Sequence, residues 1–439
     1  MHTVQYPDPS ADPIGRTTVE VPMTPTGVQP SGGGVDLTDP ELCRHGFPHE
    51  VFSELRRHSP VHWQSFPDGF PGNQDEGFWV LSRYDDVQAA SRDGELFSAF
   101  DGPMLSHQPA MQGTMLVSTD GRAHVRLRRL VNSGFTPNTI RGLDETTRTW
   151  ARSIVRAAVE AGTCDFVRDI AYQLPMHMIA DIVGVPVEDR ERLFSLTAEF
   201  LQAGDAHHPA TDEEQLLVQI QMFEYAQALG AQKRSHPRND IWTILSSAEV
   251  ESEGGGRTAL TQTELDMFFL LLVIAGSETT RNAMSVGMLT LLGHPDQLGV
   301  LRHDIGAIPS AVEEMLRWSS PLAYFARRAT RDTELRGVRI AAGERITMWY
   351  PSANRDADVF DDPFRFDIGR TPNPHVAFGG TGAHFCLGAN LARREMVILF
   401  EELLEHTRAI ELVGAPSYNP LGILNPILVN LNALPVRLT

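Results

Sequence analysis

The feature that most limits the fold is one long helical segment in the second half of the chain. Thr261-Gln-Thr-Glu264 forms a capping box, and helical composition continues from there to Leu292. Gly293 and Pro295 then give stop signals. About thirty residues at about 1.5 Å each form a rod of roughly 45 Å, the length of a whole domain. Because the first half of this segment is apolar, we expect the helix to run through the centre of the fold.

Helical patterns also dominate the rest of the chain. Short β-like segments occur around Trp63 and Trp79 and at 333–340 and 344–350. The absence of an alternating βαβ pattern argues against a doubly wound sheet or a TIM barrel. Length alone suggests two or three domains, although one large domain stays possible. Helical periodicity predicts helices at 85–92, 123–133, 139–161, 165–184, 189–203, 213–235, 261–292, 309–318 and 387–406.

The composition also indicates where the protein works. Residues 1–35 are rich in Pro, Gly, Thr and Asp and read as a flexible leader before a domain at 36–439. No basic region precedes an apolar run, and the most apolar stretch, 267–276, is too short to span a bilayer. Three scattered cysteines form no disulfide framework. We therefore expect a soluble, cytoplasmic protein, and the net charge of −19 argues against nucleic acid and anionic membranes as partners.

The stretch FGGTGAHFCLG, from Phe378 to Gly388, places Cys386 among four glycines. Cys386 stands where a helix begins, and the free N–H groups and dipole of a helix start favour a thiolate. The glycines let the backbone lie close against a large flat group or fold toward the sulfur. Zinc is disfavoured, because no second cysteine or histidine follows at a ligand spacing. From these residues alone, a plain core cysteine is a better interpretation than a metal ligand.

The long helix contains AGSETT, in which an acid and an alcohol, Glu278 and Thr279, interrupt an apolar face. The Thr279 hydroxyl can donate to the Ala275 carbonyl one turn earlier, which bends a helix and opens room beside it. A kink without chemistry is the alternative interpretation.

Two further pairs have helical spacing. Glu314 and Arg317 share one helix face, either as an exposed ion pair or as part of a buried network. His124 and Arg128 also share a face, and side chains of this kind suit carboxylates. A solvated basic face is the alternative for the second pair.

Taken together and in this order, the motifs resemble those of the cytochrome P450 family, from about Gly46 to the end of the chain. The resemblance implies a mainly α (α+β) fold in one domain, with small β-sheets and haem b between the long helix and the Cys386 loop. It also implies that Cys386 is the axial thiolate ligand of the iron. Phe378 stands eight residues before Cys386 rather than the usual seven. This longer version resembles an actinobacterial branch that oxidises sterols and methyl-branched lipids.

The resemblance assigns roles to other residues. Glu278 and Thr279 would be the acid–alcohol pair that delivers protons to iron-bound O2. The residues expected to contact haem propionates are His124, Arg128, Arg327, with Arg328 as its rival, and His384. A structural network behind the haem would comprise Glu314, Arg317 and Arg365. The substrate pocket would include Leu116, Phe200, Ala275, Leu322 and Leu424. Gly121 and Arg122 replace the prolines common in relatives, so we expect a different loop before that helix.

The implied activity is that of a haem-thiolate monooxygenase hydroxylating a lipophilic substrate, a branched lipid or terpenoid-like chain, at or near its terminus. Electrons from NAD(P)H would come through a ferredoxin and a ferredoxin reductase, because the chain shows no flavin or dinucleotide motif. A haem-thiolate peroxygenase and a non-catalytic haem sensor are the alternatives, and the acid–alcohol pair disfavours both. An acidic ferredoxin would dock on a basic patch of five arginines. Scattered surface charge is the alternative interpretation of these residues, which are Arg122, Arg126, Arg129, Arg393 and Arg394.

Overall fold

The fold is built mainly from α-helices, as seen in a computed structural model. The structure describes residues 3–7, 16–20, 35–43, 46–67, 75–106, 109–202, 212–251, 257–420 and 429–439. In these ranges the helices are α1 His49–His58, α2 Tyr84–Arg92, α3 Gly121–Asn132, α4 Pro137–Arg141, α5 Asp144–Ala161, α6 Gln173–Val183, α7 Arg190–Gln202, α8 Asp212–Ser235, α9 Ile241–Ser246, α10 Gln262–Leu292, α11 Pro295–His303, α12 Ile308–Ser319, α13 Tyr350–Ala353 and α14 Ala389–His406.

The strands are short and belong to several small sheets. They are β1 Thr3–Pro7, β2 Arg16–Glu20, β3 Val61–Ser65, β4 Gly77–Leu81, β5 Phe97–Ser98, β6 Thr163–Asp165, β7 Glu249–Glu251, β8 Arg257–Ala259, β9 Tyr324–Ala329, β10 Thr333–Leu335, β11 Val338–Ile340, β12 Arg345–Trp349, β13 Ile410–Leu412, β14 Ser417–Pro420, β15 Val429–Ala433 and β16 Pro435–Leu438.

The long helix predicted from the sequence is α10, and its capping box is present. The Thr261 hydroxyl accepts from the Glu264 N–H, and the Glu264 carboxylate accepts from the Thr261 N–H. The first half of α10, around Phe269, packs in one apolar core with α6 and α8, and the second half, around Met288, packs in another with α12 and α14. Its central position is therefore confirmed.

The largest sheet has five strands in the order β3-β4-β12-β9-β5. Trp63 on β3 lies opposite Trp79 on β4, so the two predicted β-like segments pair antiparallel. β12 runs parallel to β4 and antiparallel to β9, with Ile346 opposite Arg327. This pairing brings β9 and the residue that follows β12 to the same edge of the functional site described below.

Several predicted boundaries differ from the structure. The segment 139–161 divides into α4 and α5, and 165–184 divides into a π-helical turn, Phe166–Ala171, and α6. Pro295 does not only end the long helix: it stands in the first turn of α11, where its missing N–H costs nothing. Within the predicted leader, β1 and β2 pair antiparallel, and most of the remaining leader lies outside the described residues.

Candidate active site

A cavity that opens to solvent lies between α10 and the loop that carries Cys386. The loop contributes residues from Ala377 to Gly388 to its wall. The middle of α10 contributes Ala275, Gly276, Thr279, Thr280 and Ala283. Two motifs separated by about a hundred residues in the chain therefore face one space.

The loop holds the Cys386 sulfur at the start of α14, as the sequence indicated. The Cys386 N–H donates to the Phe378 carbonyl at 3.1 Å, which closes the loop. The N–H groups of Gly388 and Ala389 donate to the sulfur. Gly382 has a φ of +121°, and a Cβ there would stand 2.5 Å from the Ser91 carbonyl. Only glycine allows this close approach between the loop and α2.

The Cys386 side chain has accessible surface because it faces the cavity, yet protein surrounds the sulfur on its other sides. Burial raises the pKa of the Cys386 thiol. The N–H groups of Gly388 and Ala389 and the charges of Arg128 and Arg393 lower this pKa, but burial outweighs them. The expected stabilisation of a thiolate by the helix start is thus present, but burial outweighs it, and a bound metal cation would lower this pKa further.

Four donor side chains predicted for the propionates line this same cavity: His124, Arg128, Arg327 and His384. The two ring nitrogens of His124 lie 3.1 Å from the Leu116 carbonyl oxygen and 3.0 Å from the Ala383 carbonyl oxygen. Arg128 donates to the Phe385 carbonyl at 2.8 Å. These contacts join α3 to the Cys386 loop.

The choice between Arg327 and Arg328 is made by the alternation of β9. Arg327 is 7% exposed, lines the cavity and donates to the Ala326 carbonyl at 2.8 Å. Within the described ranges it forms no ion pair with a carboxylate. Arg328 points to the opposite face and forms ion pairs with Asp75 and Asp101. A buried guanidinium beside an open cavity fits an anionic ligand such as a haem propionate.

His384 is a neutral donor in this set. Burial lowers its pKa to about 4, although a hydrogen bond to Asp120 acts in the opposite direction. His384 therefore carries no charge at neutral pH and offers one N–H. Its ring lies against that of His124, with centroids 4.2 Å apart.

The acid and the alcohol of α10 have different surroundings. Thr279 lines the cavity, and its hydroxyl donates to the Ala275 carbonyl at 3.0 Å, as predicted. Glu278 is 3% exposed and forms an ion pair with Arg281 one turn along the helix. Its charge also raises the pKa of the half-buried Tyr172, although burial raises that pKa more.

The Glu314–Arg317 pair is buried, with both side chains 0% exposed and two hydrogen bonds of 2.7 Å. Its third member is Arg370 rather than Arg365. The Arg370 Nε lies 3.2 Å from the Glu314 carboxylate. Arg365 contributes only its main-chain carbonyl, which accepts from Arg317 at 3.2 Å, while its side chain is exposed. Both arginines belong to one irregular loop, whose path decides which of them turns inward.

The predicted pocket residues divide into three groups. Leu116, Ala275 and Leu322 line the cavity. Phe200 is not among its described lining residues and packs beside the apolar core around α8 and α10. Leu424 lies outside the described residues. The sequence analysis missed Phe268, Leu271, Leu272, Phe325 and Tyr350. Helical spacing from Ala275 toward the start of α10 would have found the first three.

Most of the predicted basic patch is engaged in ion pairs. Arg393 binds Glu313 with distances of 2.7 and 3.0 Å. Arg394 binds Asp144 through two contacts of 2.7 Å, and Arg126 binds Glu264. In the part of the chain that the structure describes, Arg122 and Arg129 are exposed and form no ion pair.

Comparison with known protein families identifies the fold. The family model described as "Cytochrome P450" matches residues 41–416. The chain belongs to the cytochrome P450 family. Among similar proteins, the "Steroid C26-monooxygenase" of Rhodococcus jostii is 38% identical over 402 residues, covering 90% of this chain and 83% of the relative. The "Methyl-branched lipid omega-hydroxylase" of Mycobacterium bovis is 38% identical over 397 residues, covering 88% and 90%.

A solved structure agrees with this family. The cytochrome P450 from Mycobacterium marinum in complex with pseudoionone has a TM-score of 0.82 and 34% identity, over 89% of this chain and 94% of that one. The mainly α, single-domain P450 fold with small sheets is therefore confirmed, and so is the assignment as a haem-thiolate P450 monooxygenase. A non-catalytic sensor and a peroxygenase are disfavoured, because the relatives are named as monooxygenases and a hydroxylase. None of the helices described is long and apolar enough to cross a bilayer.

Proposed function

We propose that this cytochrome P450 hydroxylates a branched lipid or terpenoid-like chain at or near its terminus. The observation that carries the proposal is the distribution of charge around the cavity. The four predicted propionate contacts come from α3, β9 and the Cys386 loop. The described lining contributed by α10 and by residues 321–325 is uncharged: Phe268, Leu271, Leu272, Ala275, Gly276, Thr279, Thr280, Ala283, Pro321, Leu322 and Phe325.

An apolar wall beside Thr279 favours the uncharged end of a substrate. A carboxylate placed there would lose its hydration without gaining a cation from α10 or from residues 321–325, so it would stay away from this wall. The hydrocarbon end then lies closest to Thr279 and Cys386. The relatives named for oxidation at steroid C26 and at the ω position of methyl-branched lipids support the same orientation.

Different residues of the chain would have different roles in the reaction. Cys386 would hold the haem iron, and His124, Arg128, Arg327 and His384 would hold the propionates. When bound, haem supplies the oxidising chemistry that inserts one oxygen atom of O2 into a C–H bond, with thiolate ligation favouring O–O cleavage. The Thr279 hydroxyl would donate a proton inside the cavity, and the Glu278 carboxyl would pass protons to it from the side of Arg281.

Electrons would come from NAD(P)H through a reductase and an acidic ferredoxin that docks on α3. Helix α3 exposes Arg122 and Arg129 to solvent. The same helix carries His124 and Arg128 at the cavity. Electrostatic complementarity of this kind raises the rate of association with an acidic partner. Free cysteines at 43, 164 and 386 fit the reducing cytoplasm in which such partners work.

A spectral binding screen tests the substrate. Methyl-branched fatty acids, sterols with an intact side chain, terpenoid ketones and unbranched fatty acids would be titrated into the ferric enzyme. We expect branched substrates to give the Soret shift of water displacement with about tenfold tighter Kd than unbranched chains of equal length, because one or two buried methyl groups are worth about 1.4 kcal/mol. Product analysis should find the hydroxyl at or near the terminus. Failure of every branched lipid to shift the Soret band would contradict the proposal.

A double substitution tests the docking surface. Arg122→Gln with Arg129→Gln should raise the apparent KM for ferredoxin about tenfold and weaken its dependence on salt. Arg331→Gln with Arg339→Gln is the control at another surface, because Arg331 is exposed before β10 and Arg339, which pairs with Asp332, is exposed on β11. Equal KM values for the two double variants would place the partner elsewhere.

A further inference from the structure

Tyr350 is a buried residue of the cavity that the assigned roles do not use. It follows β12 and begins α13, and its N–H donates to the Ala323 carbonyl at 2.9 Å. Its side chain is 2% exposed and lines the cavity, and its ring meets Phe325 edge to face with centroids 6.1 Å apart. The ring is thus fixed by its neighbours, while its polar end is available to the cavity.

The Tyr350 hydroxyl differs from those of other tyrosines in the fold. Tyr84 donates to the Pro374 carbonyl at 2.6 Å, Tyr172 to the Phe194 carbonyl at 3.3 Å, and Tyr225 to Asp189 at 3.1 Å. Across the described ranges no group accepts a hydrogen bond from the Tyr350 hydroxyl. A buried hydroxyl without a protein partner normally bonds to water or to a ligand.

The guanidinium of Arg327 also has donors that it can offer to a ligand. This group carries five N–H donors, and one of them reaches the Ala326 carbonyl. The pairing of β9 with β12 brings Arg327 and Tyr350 to one part of the cavity wall. The two side chains also act on each other electrostatically: the Arg327 charge lowers the pKa of Tyr350, although burial raises it overall to about 12. Tyr350 therefore keeps its proton at neutral pH and remains a donor.

Two neighbouring donors, one of them cationic, match a carboxylate better than any neutral acceptor. A carboxylate has two oxygens, so Arg327 and Tyr350 can each bond to one of them. The haem that this family binds carries two propionate carboxylates, and Arg327 is already expected to contact one. An apolar substrate chain offers no such group beside Thr279.

We infer that Tyr350 is a further cofactor-binding residue, whose hydroxyl donates a hydrogen bond to the same haem propionate that Arg327 binds. Removing the hydroxyl would leave the charge pairing with Arg327 intact and lose one charge-assisted hydrogen bond. The consequence is weaker retention of haem, while the ligation of iron by Cys386 is unchanged.

The test uses the holoenzyme of Tyr350→Phe, which keeps the ring and its packing. Haem transfer to excess apomyoglobin should be about tenfold faster than in the unsubstituted enzyme, the factor expected for one hydrogen bond to a charged group. Tyr172→Phe is the control, since it removes the hydroxyl of a half-buried tyrosine that does not line the described cavity, and its transfer rate should stay within about twofold. The propionate bending band of the resonance Raman spectrum should move in Tyr350→Phe and not in the control.

Three outcomes would overturn the inference. The first is an equal rate of haem transfer in the unsubstituted enzyme and in Tyr350→Phe. The second is an unchanged propionate band. The third is weaker binding of lipid carboxylic acids, but not of the matching alcohols, with haem retention unaltered, because the hydroxyl would then serve the substrate. The haem-transfer and Raman measurements need no substrate, so the first two outcomes remain separable from the proposed lipid specificity.

Discussion

Glu278 and Thr279 are adjacent in the chain, but only Thr279 lines the cavity, whereas Glu278 is buried and bound to Arg281. Consecutive side chains of an α-helix point about 100° apart, so two neighbouring side chains can contact different parts of the protein. We therefore expect Thr279 to act on the reacting oxygen. We expect Glu278 to act through Thr279 or through a change in its pairing with Arg281.

Thr279→Ala should separate electron consumption from hydroxylation. The substitution removes the side-chain hydroxyl of residue 279. The helix stays intact, because the lost hydrogen bond to Ala275 lies within the helix. We expect hydroxylated product per NAD(P)H oxidised to fall about tenfold or more, with peroxide released instead. Thr279→Ser is the control and should retain most of the coupling. Full coupling in Thr279→Ala would remove Thr279 from the proton path.

Glu278→Gln should slow the reaction more than it uncouples it. The amide keeps the shape of the side chain but neither releases nor takes up a proton at neutral pH, so we expect turnover to fall about a hundredfold. The solvent isotope effect on turnover should rise, while substrate binding spectra stay unchanged. Glu278→Asp should recover part of the rate. An unaltered isotope effect in Glu278→Gln would indicate that protons reach Thr279 by another route.

Stability measurements can identify which arginine completes the buried Glu314–Arg317 network. Arg370→Gln leaves the Glu314 carboxylate with one cation fewer at 0% exposure, so the free energy of unfolding should fall by about 3 kcal/mol. Arg365→Gln changes an exposed side chain and should cost less than about 0.5 kcal/mol. Urea unfolding of the holoenzyme, followed by circular dichroism, measures both. Equal destabilisation by the two variants would restore the role predicted for Arg365.

Glu395 on α14 should make stability depend on pH. It is 1% exposed, and both carboxylate oxygens lack a partner within the described part of the chain. Burial raises its pKa well above the usual value, so the folded protein keeps a proton that the unfolded chain releases as pH rises. The folded state therefore loses stability above the unfolded pKa, by at most about 1.4 kcal/mol per pH unit.

Glu395→Gln should remove this dependence, because the amide does not titrate. Unfolding midpoints in urea at pH 5 and pH 8 would be compared for the two proteins. The unsubstituted enzyme should lose more stability between these pH values than the variant does. Parallel pH profiles would show that Glu395 is charged in the folded protein.

Much of the site could be predicted because its signals are local. The Thr261 capping box, the hydrogen bond from Thr279 to Ala275, and the ExxR pair depend on residues three or four positions apart in one helix. Such spacings have the same meaning wherever the helix lies. Errors concern residues whose role depends on a path through space. Arg370 replaces Arg365, Phe200 packs outside the cavity lining described, and Tyr350 was missed.

The sequence by itself determined the chemistry: a cysteine at a helix start, an acid and an alcohol in the long helix, and donors suited to carboxylates. Only the tertiary structure decided which neighbour faces the cavity, as with Arg327 rather than Arg328 on β9 and Thr279 rather than Glu278 on α10. Local geometry requires adjacent side chains to diverge. Which direction is the interior depends on the helices, strands and loops packed around them, and these come from distant parts of the chain.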